Sequence, residues 1–338
     1  ENMIPQYLKM DLIKIKAQTH ATLTGLRAIL RYYEIINNPE LLRSVIERYQ
    51  TYIDEAITEN YENYNWFGRP EWTEPCAIID SYIVAVNLWK HTGNSKYLED
   101  AHYIYYNAIS HNQMSTGSFS VNTCSGADDT HVEIKIDDVY WCCNMRGGEG
   151  LSRAVEYSFF AQDEKIIIPF FQNCDANLTP RGNEIKISEK TDYPFGGNIT
   201  ISILDVKYEN KIQTWELFNP TFEELKIVQY NDQQIEFESK NGMIIFSHQI
   251  LKGDKITVQF TPILETKPTM NKKSIQKYFT FRYGPLILGH SGYGEIKISP
   301  TTKFNIVKTS NGLNFKTESE EIVLKPLYHL LDPNVNVD

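Results

Sequence analysis

The sequence predicts an α+β multidomain chain, with helical hairpins first and an antiparallel β-sandwich after them. Two observations predict it. Apolar residues recur at three- and four-residue spacing up to about residue 163, and at a period of two beyond Ile166. In the first part, two pairs of helices also repeat at a constant offset, which is how stacked helical hairpins build α-solenoids or closed α/α barrels. The boundary divides the chain into a helical domain, 1–163, and a strand domain, 164–338. A length of 338 residues accommodates two domains, each with its own core.

Thr19 to Asn37 carries Leu23, Leu26, Ile29, Leu30, Tyr33 and Ile36 on one apolar face. Asn37-Asn38-Pro39 stops that helix, and Pro39 suits the first turn of the next, over about 39–58. Tyr33, Asn38 and Leu42 of this pair match Trp89, Asn94 and Leu98 of the second, whose turn is Thr92-Gly93-Asn94. A further helix is expected from near Gly148 through Arg153 to about Phe160.

The strand signals are Ile166-Ile167-Ile168-Pro169-Phe170-Phe171, Ile199 to Ile203, Met243 to Phe246 and Ile256 to Phe260. Asn241-Gly242, Gly253-Asp254 and Gly196-Gly197 supply turns between them. Many short strands without long crossover helices point to an antiparallel sandwich.

The chemistry concentrates in the cysteines. Cys142 and Cys143 are adjacent in Tyr140-Trp141-Cys142-Cys143-Asn144-Met145-Arg146-Gly147-Gly148, and Cys76 lies upstream in Glu74-Pro75-Cys76. Adjacent cysteines bridge each other poorly, because a disulfide needs converging Cβ vectors. Three thiols with the Glu74 carboxylate instead make a four-coordinate S3O set suited to zinc. The plainer alternative is that these thiols are small buried hydrophobes. Sharing a metal requires loops 61–76 and 115–143 to meet at one end of the helices.

Bulk properties set limits. Five cysteines are too few for a disulfide scaffold, and the odd count leaves one unpaired within the chain. Of the two others, Cys124 reads as a buried thiol, a substitute ligand or a disulfide partner, and Cys174 as structural. A net charge of -10 argues against nucleic acid or an anionic membrane as partner. There is no apolar run long enough to span a bilayer. The 21 Tyr and 16 Phe fit core and sheet packing, or stacking platforms for carbohydrate. The first residue is Glu1 rather than Met, so an upstream segment is conceivable and the compartment, periplasmic, secreted or cytoplasmic, stays open.

Several strings resemble glycoside hydrolase family 127, the β-L-arabinofuranosidase group. Trp72-Thr73-Glu74-Pro75-Cys76-Ala77-Ile78, followed by Leu88-Trp89-Lys90-His91-Thr92-Gly93-Asn94, resembles its Glu-x-Cys helix. His20-Ala21 is similar to its His-Ala helix, and Cys142-Cys143 to its vicinal pair. Asp192-Tyr193-Pro194-Phe195-Gly196-Gly197-Asn198, Leu251-Lys252-Gly253-Asp254 and Phe281-Arg282-Tyr283-Gly284-Pro285-Leu286 resemble its strand-domain motifs. The matches run in order from about residue 18 to 290.

The resemblance implies a partial α/α barrel followed by a β-sandwich, and a zinc ion held by Glu74, Cys76, Cys142 and Cys143. Cys142 would also be the nucleophile of a retaining glycosidase acting on β-L-arabinofuranosides or related plant-polysaccharide side chains. The general acid would come from Glu62 or Glu59, with His20, Tyr140 and Arg146 contacting the carbohydrate substrate. Two departures stand out. The family's prolines after the cysteine pair are replaced by Asn144-Met145-Arg146, and a closed barrel needs about twice the helices visible here. The second departure implies a missing N-terminal segment, or a second copy in a homo-oligomer, covering the half barrel. The alternatives are a non-catalytic carbohydrate-binding or scaffold protein with a structural zinc, or a lyase or epimerase on the same helices.

Overall fold

The computed structural model describes residues 4–69, 71–123, 132–270, 278–291, 296–309, 312–319 and 321–329. Cys124 lies outside the described residues. The helices are α1 (Ile4–Lys9), α2 (Thr19–Ile36), α3 (Pro39–Glu55), α4 (Pro75–Thr92), α5 (Lys96–Tyr103), α6 (Ser110–Asn112) and α7 (Cys142–Glu156), with a π-helical turn at Ile104–Ile109 joining α5 to α6.

The repeat seen in the sequence is a repeat of helix-end chemistry. Asn37 and Gly93 end α2 and α4 in the left-handed conformation, each returning its N–H to the carbonyl four residues back, on Tyr33 and Trp89. Asn38 and Asn94 then accept from the backbone N–H two residues on, at 3.0 and 3.1 Å, and so start the next helix.

α4 is the central helix. Fourteen of its residues are buried, and α2 and α7 flank it. α7 begins at Cys142, earlier than the expected start near Gly148. The glycines there mark close packing, not a break. A Cβ at Gly147 would run into the Phe119 ring, and one at Gly150 into Ile79 of α4.

Beyond Phe160 the chain is strands. One sheet of six pairs Gln233–Gln234, Glu223–Tyr230, Lys255–Pro262, Gly197–Val206, Ile185–Thr191 and Cys174–Leu178 antiparallel in that order. A sheet of five orders Glu238–Lys240, Met243–Gln249, Ile212–Phe218, Lys165–Ile168 and Phe160–Gln162. Both sheets bury alternate apolar residues in the core that the helices also enter. The expected strands are present, and Asn241-Gly242 forms the expected tight turn with both residues at positive φ. Gly197 opens a strand instead of separating two.

Two features depart from a plain antiparallel sandwich. Lys165–Ile168 pairs parallel with Ile212–Phe218. A third sheet of six, from Leu264–Pro268 to Val323–Pro326, has its own small core of Leu288, Leu313, Phe315 and Leu324.

Buried polar groups fix the helices to the sheets. His102 Nε2 donates to the Pro169 carbonyl at 2.9 Å, so Nδ1 is left to accept from the Tyr193 hydroxyl, also at 2.9 Å. Asn107 donates to Pro285 O and accepts from Ile287 N–H, both at 2.7 Å.

Candidate metal centre

Two helix N-termini converge. Glu74 precedes α4, Cys76 is in its first turn, and Cys142 and Cys143 open α7. The loops meet as the sequence required, with Thr73 N–H bonded to Asn122 O at 2.9 Å. The Cys76 Sγ lies 3.5 Å from Cys142 Sγ and 3.7 Å from Cys143 Sγ. A tetrahedral metal with bonds of about 2.3 Å to sulfur separates its sulfurs by about 3.8 Å, so the three thiols fit one ion.

The group whose ligand atoms lie within 4.8 Å of one another comprises the three thiols and leaves out Glu74, the expected fourth ligand. Pro75 occupies the first helical position and has no N–H to cap, and the Glu74 side chain makes no capping bond. Its Oε1 is buried without a hydrogen-bond partner among the described residues. Burial, then the Cys143 and Asp80 charges, push its carboxyl up to about 7. A buried carboxylate oxygen that makes no hydrogen bond, with only the His20 ring at 3.8 Å, fits the fourth ligand of a zinc site.

The single S–H of Cys76 is shared between the Cys143 and Cys142 sulfurs. That hydrogen bond pushes the Cys143 thiol down to about 6 and, together with burial, pushes Cys76 up. Both helix N-termini also favour thiolate. Cys76 and Cys143 are buried, and Cys142 is exposed.

Behind the thiols lies a charged cluster. Asp80, fully buried in α4, accepts from Thr24 Oγ1 at 2.5 Å and pairs with Arg27 of α2 and Arg146 of α7. Glu149 takes the second nitrogens of both guanidiniums, Arg27 at 2.7 Å. Burial pushes Glu149 up, but Arg27, Arg146 and Arg153 outweigh it and hold it below the usual carboxylate range. His20 sits over this cluster, with Nε2 3.5 Å from Asp80 and Nδ1 3.8 Å from Glu74. Burial holds His20 below the ordinary imidazole range, with Arg146 and Arg27 adding to the effect and Asp80 opposing it.

The remaining residues singled out in the sequence are not part of the thiol group. Glu62 is fully buried, and its Oε1 accepts from His111 at 3.0 Å, Asn122 at 2.9 Å and Asn112. Burial pushes it up, yet His111, with the Asn60 and Asn122 amides, holds it below the carboxylate range. Glu59 Oε2 accepts from Met270 N–H at 2.8 Å. Tyr140 is 88% exposed beside Trp141.

Sequence reasoning missed Asp80, Arg27 and Glu149. The available signal was spacing: Asp80 follows Cys76, and Arg146 follows Cys142, by one helical turn.

No family model matches the sequence, and no curated protein matches it. Solved structures do. A GH127 β-L-arabinofuranosidase from Geobacillus stearothermophilus T6 superposes with a TM-score of 0.76 at 14% identity, covering 92% of this chain and 58% of its own. A second structure, described as a GH127 β-arabinofuranosidase, gives 0.72 at 15% identity, with 92% and 57% covered. A third, described as a glycoside hydrolase, gives 0.76 at 16%, with 92% and 63% covered. The chain therefore has the fold of these proteins and spans about three fifths of their length.

Proposed function

We propose that this chain is the metal-centre part of a retaining glycoside hydrolase of the family 127 type, acting on β-L-arabinofuranosides or related plant-polysaccharide side chains. The observation that carries the reading is the convergence of Cys76, Cys142 and Cys143, with a Glu74 oxygen that makes no hydrogen bond, in a fold shared with such enzymes. The domain reading goes with it: residues 1–163 contribute part of an α/α barrel that carries the site, and 164–338 form the strand domain.

Zinc held by Glu74, Cys76, Cys142 and Cys143 would keep the thiols as thiolates at neutral pH. Cys142, the exposed thiol, attacks the anomeric carbon as the glycosidic C–O bond breaks. Water then displaces the sulfur, so two inversions return the original configuration. His20, at the start of α2, would bond the sugar. Arg146 contributes by holding the floor of the site, because Asp80 and Glu149 engage its terminal nitrogens. Tyr140 offers an exposed ring for stacking.

Glu62 and Glu59 are the proposed proton donors. Glu62 is fully buried and held below the carboxylate range by the bonds it accepts, so acting as the acid would require both access to the sugar and a proton. The test is Glu62→Gln on two substrates. Loss of about 10²-fold or more in kcat on a natural glycoside, with little loss on an aryl glycoside that needs no acid, identifies the donor. Equal losses on both exclude it.

Exposed small and apolar side chains follow one stripe of α7 (Trp141, Met145, Val155) and one of α2 (Ala21, Ala28, Ile35). They offer a face for either expected cover, a further N-terminal segment or a second copy, and sedimentation at several concentrations tests the second copy.

A further inference from the structure

Cys76 and Asp80 are four residues apart in α4, and Cys142 and Arg146 are four apart in α7. At that spacing two residues share a helix face, one turn above the other. The two helices therefore meet in two rungs. The upper rung is the Cys76–Cys142 sulfur contact at 3.5 Å, and the lower is the Arg146–Asp80 ion pair.

We propose that Asp80 is the positioning residue of the thiol site: through Arg146 it locks the first turns of α7 to α4, so that Cys142 and Cys143 meet Cys76. The inference rests on the metal-thiolate reading above.

The lower rung is built to hold. Asp80 is fully buried and is itself fixed from α2 by Thr24, at 2.5 Å, and Arg27. Arg146 and Arg27 both reach Glu149, so two guanidiniums and two carboxylates close a balanced ring across three helices. Such a ring is needed. The Cys76 sulfur meets Cys142 at 3.5 Å and Cys143 at 3.7 Å, and any separation of the two N-termini would open both contacts. A paired cross-link one turn below, with its Asp80 end fully buried, opposes that separation. Removing Asp80 would leave Arg146 and Arg27 facing a single carboxylate.

The test is zinc affinity by competition with a chromophoric chelator, together with the thiolate-to-metal absorption of the cobalt(II) form, on the full chain. The set comprises wild type, Asp80→Asn, Arg146→Lys, Arg146→Gln and the distant buried control Glu189→Gln. Asp80→Asn and Arg146→Gln are expected to weaken zinc binding about 10–100-fold, the range for residues that orient metal ligands. Arg146→Lys should fall between, and Glu189→Gln should match wild type, with far-UV circular dichroism unchanged throughout.

Zinc affinities of the Asp80 and Arg146 variants within about two-fold of wild type would overturn the assignment. If wild type binds no zinc, the metal reading of the proposed function falls, and a metal-free readout decides the positioning role. Diamide should close the Cys76–Cys142 disulfide about tenfold more slowly in Arg146→Lys than in wild type, because attack needs the two sulfurs aligned; equal rates overturn it. Arg146→Lys keeps the buried charge paired, so it also carries the test should Asp80→Asn fail to fold.

Discussion

Cys142 differs from Cys76 and Cys143 in being open to solvent. In the metal-free protein, iodoacetamide should therefore label Cys142 ahead of Cys143, although Cys143 is the thiol pushed down to about 6. Peptide mapping of briefly alkylated protein checks the order; Cys143 labelled first would remove Cys142 as the accessible nucleophile. Glu62 and His111 raise a stability question instead. Their contact is wholly buried, and deleting His111 leaves Glu62 with the Asn112 and Asn122 amides. His111→Ala should lower unfolding free energy by about 3–5 kcal/mol in urea titration, and a loss under about 1 kcal/mol would mean that water or a neighbouring amide replaces the imidazole. The thiol ligands were legible in the sequence because few chemistries use adjacent cysteines. Asp80 was not, because a lone acid in a helix carries no mark of whether it faces water or two arginines.

Helix boundaries were legible where backbone chemistry is local. Asn37-Asn38-Pro39 and Gly93-Asn94 marked both helix ends and helix starts, and each Asn accepts its own capping bond. Asn38→Ala should cost about 1 kcal/mol, read from thermal unfolding with Asn94→Ala as its counterpart. The start of α7 was misplaced because Gly147-Gly148 suggests a break when only sequence is seen. The cause is tertiary: Gly147 gives room to the Phe119 ring and Gly150 to Ile79. Gly147→Ala should destabilise by about 1–3 kcal/mol through overpacking. It should also weaken zinc binding, since α7 carries two of the thiols; an unchanged metal affinity would show that the helix start tolerates the shift. Strand existence was visible in the period of two, but the parallel pairing of Lys165–Ile168 and the third sheet were not, since alternation does not name a strand's neighbour.

Helices and sheets share one core, and the buried groups joining them set the response of the whole molecule to pH. His102 is held down to about 3 by burial, so it stays neutral across the physiological range. Burial pushes Glu189 and Glu223 up to about 8 from an ordinary value of 4.5. Between those values the folded chain keeps protons that the unfolded chain has released, so stability falls as pH rises. The penalty is absent below 4.5 and complete above about 8. Glu223→Gln should flatten this decline, measured as unfolding midpoints between about pH 5 and 9; an unchanged slope would place the titrating groups elsewhere.

Among the described residues no helix is long and apolar enough to cross a membrane. The account depends on one property, a metal gathered by thiols from two helix N-termini. Metal content of protein purified without added metal, wild type against Cys142→Ser, tests it directly. The account predicts about one zinc per chain, falling sharply in the variant. No bound metal in the wild type, with Cys76, Cys142 and Cys143 all free or oxidised, would contradict it.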